Sequence, residues 1–403
     1  LLAKKQGNFL KNTLPRIDAR ACITQSLLFA LFLLNLSRLL FAKHNRVICP
    51  NGEKRMSRRI ALDCIHLKHT PRWAHTQYSL EYHRQFLAET AGIPTGDEHL
   101  LSRAMDDLQI DLLWHTNDGL IDWTAAGRTT NMGHAAYAAD GSDQLSSLKS
   151  PFDSAAEVYA FDAVREYGLP DFPEQVQAYE HLLNQAHSNY PEQLTTGGYY
   201  KTLVSGAIAA FGWEAFLLAG TDPQRLASVL DTFFQRTLFF MRAWAATSVD
   251  VVIQHDDFVW TSGPFLHPEF YRQEIIPRYA ELWKPLHAAG KKVLFCSDGC
   301  FVDFASDIVA AGADGLIFEP CNDFNWMASE FGGTTCLVGS AIDCRDLAAG
   351  DWAKVDFDIA RTMTALANVR GAVVAVGNHL PPDLSPQTMR TFFQRLLPQL
   401  ERK

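Results

Sequence analysis

The chain has 403 residues, 47% hydrophobic and 20% charged, with a formal net charge of −9 and a pI near 5.9. Such a composition is globular and long enough for one large domain or two small ones. The acidic balance excludes a nucleic-acid partner, whose phosphates need a clustered basic surface, and points to a small-molecule or protein partner.

Residues 1–55 stand apart, with ten Lys or Arg against only Asp18 and Glu53. The remainder then carries 26 basic against 43 acidic residues, a balance of −17. Within this basic stretch Leu27 to Leu36 is an apolar run of ten residues containing Asn35, against the roughly 20 needed to cross a bilayer. Ser37-Arg38 after it makes a poor signal-peptide cleavage site. The expectation is a basic extension over 1–55 outside the fold, no membrane anchor, and a folded domain over 56–403 beginning at Met56.

Beyond Met56, short apolar or β-branched runs that close on polar residues alternate with longer stretches of helical period. In chain order the expected strands are Asp111–Trp114, Gln193–Thr196, Val249–Gln254, Lys292–Cys296, Gly315–Glu319, Thr335–Val338 and Ala372–Val376. Several are apolar on both faces, as parallel strands covered by helices should be. Helices are expected over Asp222–Thr247, His267–Ala289, Asp303–Ala311 and Ser385–Leu397, the last with Ser385 as N-cap and Pro386 at the first helical position. Thr129–Tyr190, rich in Gly, Ser, Pro and aromatics, reads as an insertion over the barrel mouth. The alternation implies an α/β fold with a parallel sheet, and its length and strand count favour a single-domain (β/α)₈ TIM barrel. No glycine-rich phosphate fingerprint follows the early strands, which argues against dinucleotide binding. Eight cysteines without the spacing of a disulfide framework read as free thiols in a reducing, cytoplasmic compartment.

In a parallel barrel the chemistry lies at the C-terminal strand ends. These ends read His115-Thr-Asn-Asp118, Gly197-Gly-Tyr-Tyr200, Gln254-His-Asp-Asp257, Cys296-Ser-Asp-Gly299, Glu319-Pro-Cys-Asn-Asp323, Gly339-Ser-Ala-Ile-Asp343 and Gly377-Asn-His379. An isolated Asp or His in such a place is ordinarily a solvated loop residue, but seven polar ends aimed at one mouth suit metal binding, proton transfer or both. Glu319 closes an apolar strand before Pro320, where a carboxylate is costly unless paired or bound. Asp256 and Asp257 are candidates for substrate positioning or for an acid of raised pKa. Tyr199 and Tyr200 are candidates to stack on a substrate.

Several of these segments resemble the uroporphyrinogen decarboxylase superfamily, which also contains cobalamin-dependent methyltransferases. They are Val293 to Gly299, Asp307 to Pro320, Asp256-Asp257 with Ser262-Gly-Pro264 and Pro268-Glu-Phe270, and the closing Val376 to Asp383. The methylcobamide methyltransferases of that superfamily carry a His-x-Cys zinc motif and a further Cys in the last strand's loop. This chain has Cys296 in place of the His, Asp298 in place of the Cys, and Asn378 beside His379 where the last Cys would stand. Its Ser-Asp-Gly form is similar to the substrate-side methyltransferases of corrinoid O-demethylation systems, where a Lewis acid polarises an ether oxygen while a reduced corrinoid attacks the methyl group.

The resemblance therefore implies a zinc ligand set of Cys296, Asp298, Glu319 and His379. It implies catalytic roles for Asp256, Asp257, Asp298 and His379, and substrate contacts from His115, Asp118, Tyr199, Tyr200 and Asn378. Cys300, Cys321 and Cys344 are expected bystanders, with Cys321, directly after Glu319-Pro320, placed to substitute as a ligand. The expected function is methyl transfer from a small methoxylated or methylated compound to a corrinoid held by a partner protein, since this chain lacks the Asp-x-His-x-x-Gly signature of a cobalamin module. A homodimer is compatible with the reading. The alternative, porphyrin decarboxylation, needs cations for many carboxylates; the early Arg-Gln-Ala-Gly-Arg segment is missing, Arg84, Arg103 and Arg128 are scattered, and the strand ends are acidic. A non-catalytic binding barrel is the third reading, and metal content separates it from the first.

Overall fold

A computed structural model describes residues 57–114, 135–137, 143–145, 150–377 and 379–402. The helices that frame the fold include, in chain order, α1 (Ser57–Ile65), α2 (Arg84–Ala91), α3 (Leu100–Asp107), α4 (Phe172–Asn189), α5 (Pro223–Ala245), α6 (Ile276–Ala288), α7 (Val302–Ala311), α8 (Phe324–Phe331), α9 (Trp352–Leu366) and α10 (Pro386–Leu396). Eight strands alternate with them: β1 (Ala74–His75), β2 (Leu112–Leu113), β3 in two segments (Leu194–Thr195 and Gly197–Tyr199), β4 (Val251–His255), β5 (Lys292–Cys296), β6 (Gly315–Ile317), β7 (Cys336–Gly339) and β8 (Ala372–Val374). Ala135–Tyr137 and Asp143–Leu145 form a separate antiparallel pair.

The strands close into a ring. Parallel ladders run from β3 through β4, β5, β6, β7 and β8 to β1, and β2 pairs with the first segment of β3. The last junction, β1 to β2, is made by the Asp111 N–H donating to the His75 carbonyl (2.8 Å) and by the Thr76 hydroxyl donating to the Leu112 carbonyl (2.7 Å). The buried Asp111 carboxylate pins this seam, accepting both terminal nitrogens of Arg72 (2.5 and 2.7 Å) and the His75 N–H (3.0 Å). With two-residue strands at the seam, side-chain bonds take over part of the joining that a ladder performs elsewhere.

Strand periodicity divides the core. Val251, Ile253, Leu294, Cys296, Ile317, Val338 and Val373 point into the barrel, where they pack with Ala61, Cys64 and Ile65 of α1. Helix α1 thus plugs the N-terminal end of the barrel, and Gly371 makes its close approach possible: a Cβ there would lie 1.9 Å from the Cys64 carbonyl oxygen. The alternate residues Val252, Val293, Phe295, Leu316 and Val374 face outward under the helices.

The expected helices form within a residue or two of the expected bounds, and two of them have chemically marked starts. The Asp222 and Ser385 side chains accept the N–H of Arg225 and Thr388, and each is followed by proline. Helix α6 is entered through Pro268–Phe270 and a π-helical turn, Tyr271–Ile275. The span read as an insertion is partly framework: α4 lies inside it, and Tyr179 of α4 stacks on Trp244 of α5 with ring centroids 3.7 Å apart. Strand β1 and helices α1, α2, α3, α8 and α9 are additional to the expected elements.

Candidate metal and substrate site

The alternation that builds the barrel core also builds the site. Continuing the inward register of β4 and β5 past their last apolar residues brings His255, Asp257 and Asp298 together at the mouth, their ligand atoms all within 4.8 Å of one another. His255 Nε2 lies 3.0 Å from Asp257 Oδ1, which also accepts the Asp298 N–H (2.9 Å). The Tyr200 hydroxyl donates to Asp257 Oδ2 (3.0 Å), and the Tyr200 ring lies over His255 at a centroid distance of 4.4 Å. Asp257 is thus the hub that orients Tyr200, His255 and the turn bearing Asp298.

That turn depends on Gly299, held at φ +85°, where a Cβ would meet the Val259 carbonyl oxygen at 2.7 Å and Trp260 backbone atoms at 2.8 Å. The Gly299 N–H donates to Glu319 Oε2 (2.9 Å), so Glu319 braces the turn from the end of β6. Burial, then the Asp257 charge, with a contribution from Glu319, push the Asp298 carboxyl up to about 8 against the opposing pull of His255. Burial disfavours a charged His255 imidazole, yet Cys296 and Asp257 beside it outweigh burial and raise its pKa well above 6.5. Burial also pushes the Cys296 thiol up to about 11, partly offset by His255.

Of the four expected ligands, Asp298 alone belongs to the converging group. Cys296 is the register partner of His255 on the neighbouring strand and touches its imidazole, but its sulfur does not join the three. Glu319 stands behind Gly299, and His379, at the end of β8, pairs through its backbone with Tyr78 rather than joining the group. Asp257 and Tyr200 lie at the mouth with the converging group. His115, Asp118 and Asn378 lie outside the described residues.

Two expected site residues face the other way. Asp256 is one residue out of register with the inward set: its carboxylate accepts the Val204 N–H (3.2 Å), the Ser205 N–H and hydroxyl (2.8 and 2.7 Å) and the Tyr279 hydroxyl (2.6 Å). Those four donors explain how a buried carboxylate is tolerated there and give it a structural task, tying the start of the helix Val204–Phe211 to α6. Tyr199 is likewise fully buried behind β3, its hydroxyl accepting from Arg236 (2.8 Å) and its ring stacked on Phe240 at 5.0 Å.

Three residues at the mouth were not among the expected site residues. His255 was legible in the parity of Val251, Ile253 and His255. Tyr78 and Trp114, at the ends of β1 and β2, form an aromatic pair with centroids 5.2 Å apart. The Tyr78 hydroxyl has its pKa raised by burial and lies in the field of His255, Cys296 and Asp298, while Trp114 packs on the barrel interior. Both therefore line the same opening.

The sequence matches the family model "Uroporphyrinogen decarboxylase (URO-D)" over residues 148–396, more than half of the chain. The chain belongs to the uroporphyrinogen decarboxylase family. Among solved structures it is similar to a methyltransferase from Methanosarcina mazei, at 16% identity and a TM-score of 0.58, over 86% of this chain and 98% of that one. A xylose isomerase-like TIM barrel protein from Mycobacterium smegmatis, in complex with magnesium, matches at 11% identity over 71% of this chain and 100% of that one, with a TM-score of 0.34. No functionally curated protein matches the sequence. The likeness to the Methanosarcina enzyme is one of fold. Among the described residues no helix is long and apolar enough to cross a membrane.

Proposed function

We propose that this member of the uroporphyrinogen decarboxylase family is a metal-assisted methyltransferase that moves a methyl group from a small methoxylated or methylated compound to a corrinoid carried by a partner protein. The observation that carries the reading is the convergence of His255, Asp257 and Asp298 on one point of the barrel mouth. One imidazole and two carboxylates fit zinc, and their crowding fits a cation: without one, Asp298 retains its proton to about 8 because of burial and its acidic neighbours. When bound there, zinc supplies Lewis acidity toward the donor's heteroatom, lowering the cost of charge that builds as the methyl group leaves.

The chain's own residues do the positioning. Asp257 receives the Tyr200 hydroxyl, the Asp298 N–H and His255, so one carboxylate fixes three groups around the reacting point. Glu319 holds the Gly299 turn and through it the height of Asp298. Tyr78 and Trp114 give the non-reacting part of the donor an apolar wall that displaces water from the mouth. An acidic mouth of this kind disfavours a porphyrinogen bearing many carboxylates. Arg84 is turned away, donating to the Thr95 carbonyl.

The test combines the purified chain, a reduced corrinoid protein and candidate methyl donors, following loss of the cob(I)amide absorbance. Donor-dependent loss that disappears in Asp298→Ala supports the reading. Turnover of uroporphyrinogen without any corrinoid, abolished by Asp257→Ala, establishes decarboxylation instead.

A further inference from the structure

We infer that Cys296 is a positioning residue behind the metal ligand His255, not itself a ligand; the inference rests on the metal-centre reading above. Cys296 and His255 are register partners on adjacent parallel strands, so their side chains leave the sheet side by side on the inner face. The thiol and the imidazole therefore lie side by side, and His255 Nε2 is turned toward Asp257. The Cys296 sulfur nevertheless stays out of the 4.8 Å group formed by His255, Asp257 and Asp298. It is also buried beneath that group, 2% exposed, within the apolar cluster of Ile253, Leu294 and Ile317.

A metal-ligating histidine ordinarily spends its other ring nitrogen on a partner that fixes the ring plane and tautomer. Asp257 takes the Nε2 side of the His255 ring, and Cys296, its register partner in the interior cluster, stands beside that ring one strand away. A thiol suits that place because it is a small apolar residue that still makes a weak hydrogen bond, so it packs against Ile317 and Leu294 without stranding a strong polar group. The centre assigned here is accordingly a nitrogen and oxygen site with no sulfur ligand.

Cobalt(II) titration of the full chain tests this with a readout independent of turnover. Wild-type protein should show ligand-field bands of bound cobalt and no sulfur-to-cobalt charge-transfer band in the near ultraviolet. Cys296→Ser, which keeps a hydrogen-bonding partner for His255, should bind close to wild type with an unchanged spectrum. Cys296→Ala should bind about 10-fold or more weakly, the usual loss for an outer partner of a ligating histidine, and urea melts of the metal-free variants would separate this from a general loss of stability. A charge-transfer band in wild type that vanishes in Cys296→Ser makes the thiol a ligand and overturns the inference while leaving the metal-centre reading intact. Equal affinity of Cys296→Ala and wild type overturns it too. A wild-type chain that takes up no cobalt overturns both.

Discussion

We predict that acid destabilises the barrel through His75 and that the effect disappears in His75→Asn. His75 lies at the β1–β2 seam, fully buried. Its Nδ1–H donates to the Leu108 carbonyl (3.1 Å), which leaves Nε2 to accept the Gln77 amide N–H (2.9 Å). Gln77 is held in that orientation because its oxygen accepts the Val376 N–H (3.2 Å). The neutral ring is thus satisfied at both nitrogens, and an added proton would face another N–H. Burial first, then the Arg72 charge, lower the His75 pKa from 6.5 to about 3. As the folded-state value is depressed, the stabilisation is complete above 6.5 and is lost as the pH falls from 6.5 toward 3, because the unfolded chain takes up the proton first. At about 1.4 kcal/mol per pH unit, the loss attributable to this group at pH 4.5 is about 3 kcal/mol, rising to about 5 near pH 3. Urea melts of wild type and His75→Asn across this range isolate the term from the carboxylates common to both, Asn retaining a donor for Leu108. Parallel stability profiles of the two proteins would show that His75 carries none of the acid sensitivity.

Strand parity separates two neighbouring aspartates: Asp257→Asn should weaken zinc binding, measured by competition with a chromophoric chelator, with little change in the urea midpoint. Asp256→Asn should do the reverse, lowering stability by roughly 1–3 kcal/mol as its hydrogen bonds are impaired while zinc affinity is kept. Gly299→Ala must displace the turn that carries Asp298, so its metal affinity should fall together with a stability loss of roughly 1–3 kcal/mol, read by chelator competition and thermal melting. Expression from Met56 should yield a cooperatively unfolding protein, as expected if the basic residues 1–55 lie outside the barrel; non-cooperative melting of that shortened chain alone would count against it.

Marked starts account for part of what the sequence revealed of the fold, but not all of it: α8 and α9, capped by Asp323 and Asp351, were not among the expected helices. Helices α5 and α10 carry an Asp or Ser cap followed by proline, and both were legible to within a residue or two. Helices α2 and α3 start after His83 and His99, neither of which makes a side-chain capping bond, so nothing announces them. Strand β1 is two residues long, too short for any period to show, and is held by Asp111 from 36 residues away. Helix α4 was absorbed into a loop-like composition although Asp171 and Pro173 mark its start.

For the site, the informative signal was parity rather than residue type. Strand ends rich in Asp, Cys and His identified the mouth, but residue type alone could not say which members of a run enter it. In Gln254-His255-Asp256-Asp257 the answer alternates: Gln254 accepts from Trp283 of α6 and Asp256 from Tyr279 of the same helix, while His255 and Asp257 meet Asp298 inside. A strand period of two fixes this once any one residue is placed, and Val251 and Ile253 in the barrel interior place it. The same count along β5 carries Leu294 and Cys296 inward and Asp298 after them, but depth then divides their tasks. Cys296 lies one pleat below the mouth, among apolar neighbours, and Asp298 lies at it, beyond the last strand residue on a turn that only glycine can complete. Two residues apart and on the same face, one is positioned to set the angle of an imidazole and the other to offer a carboxylate to whatever that imidazole holds.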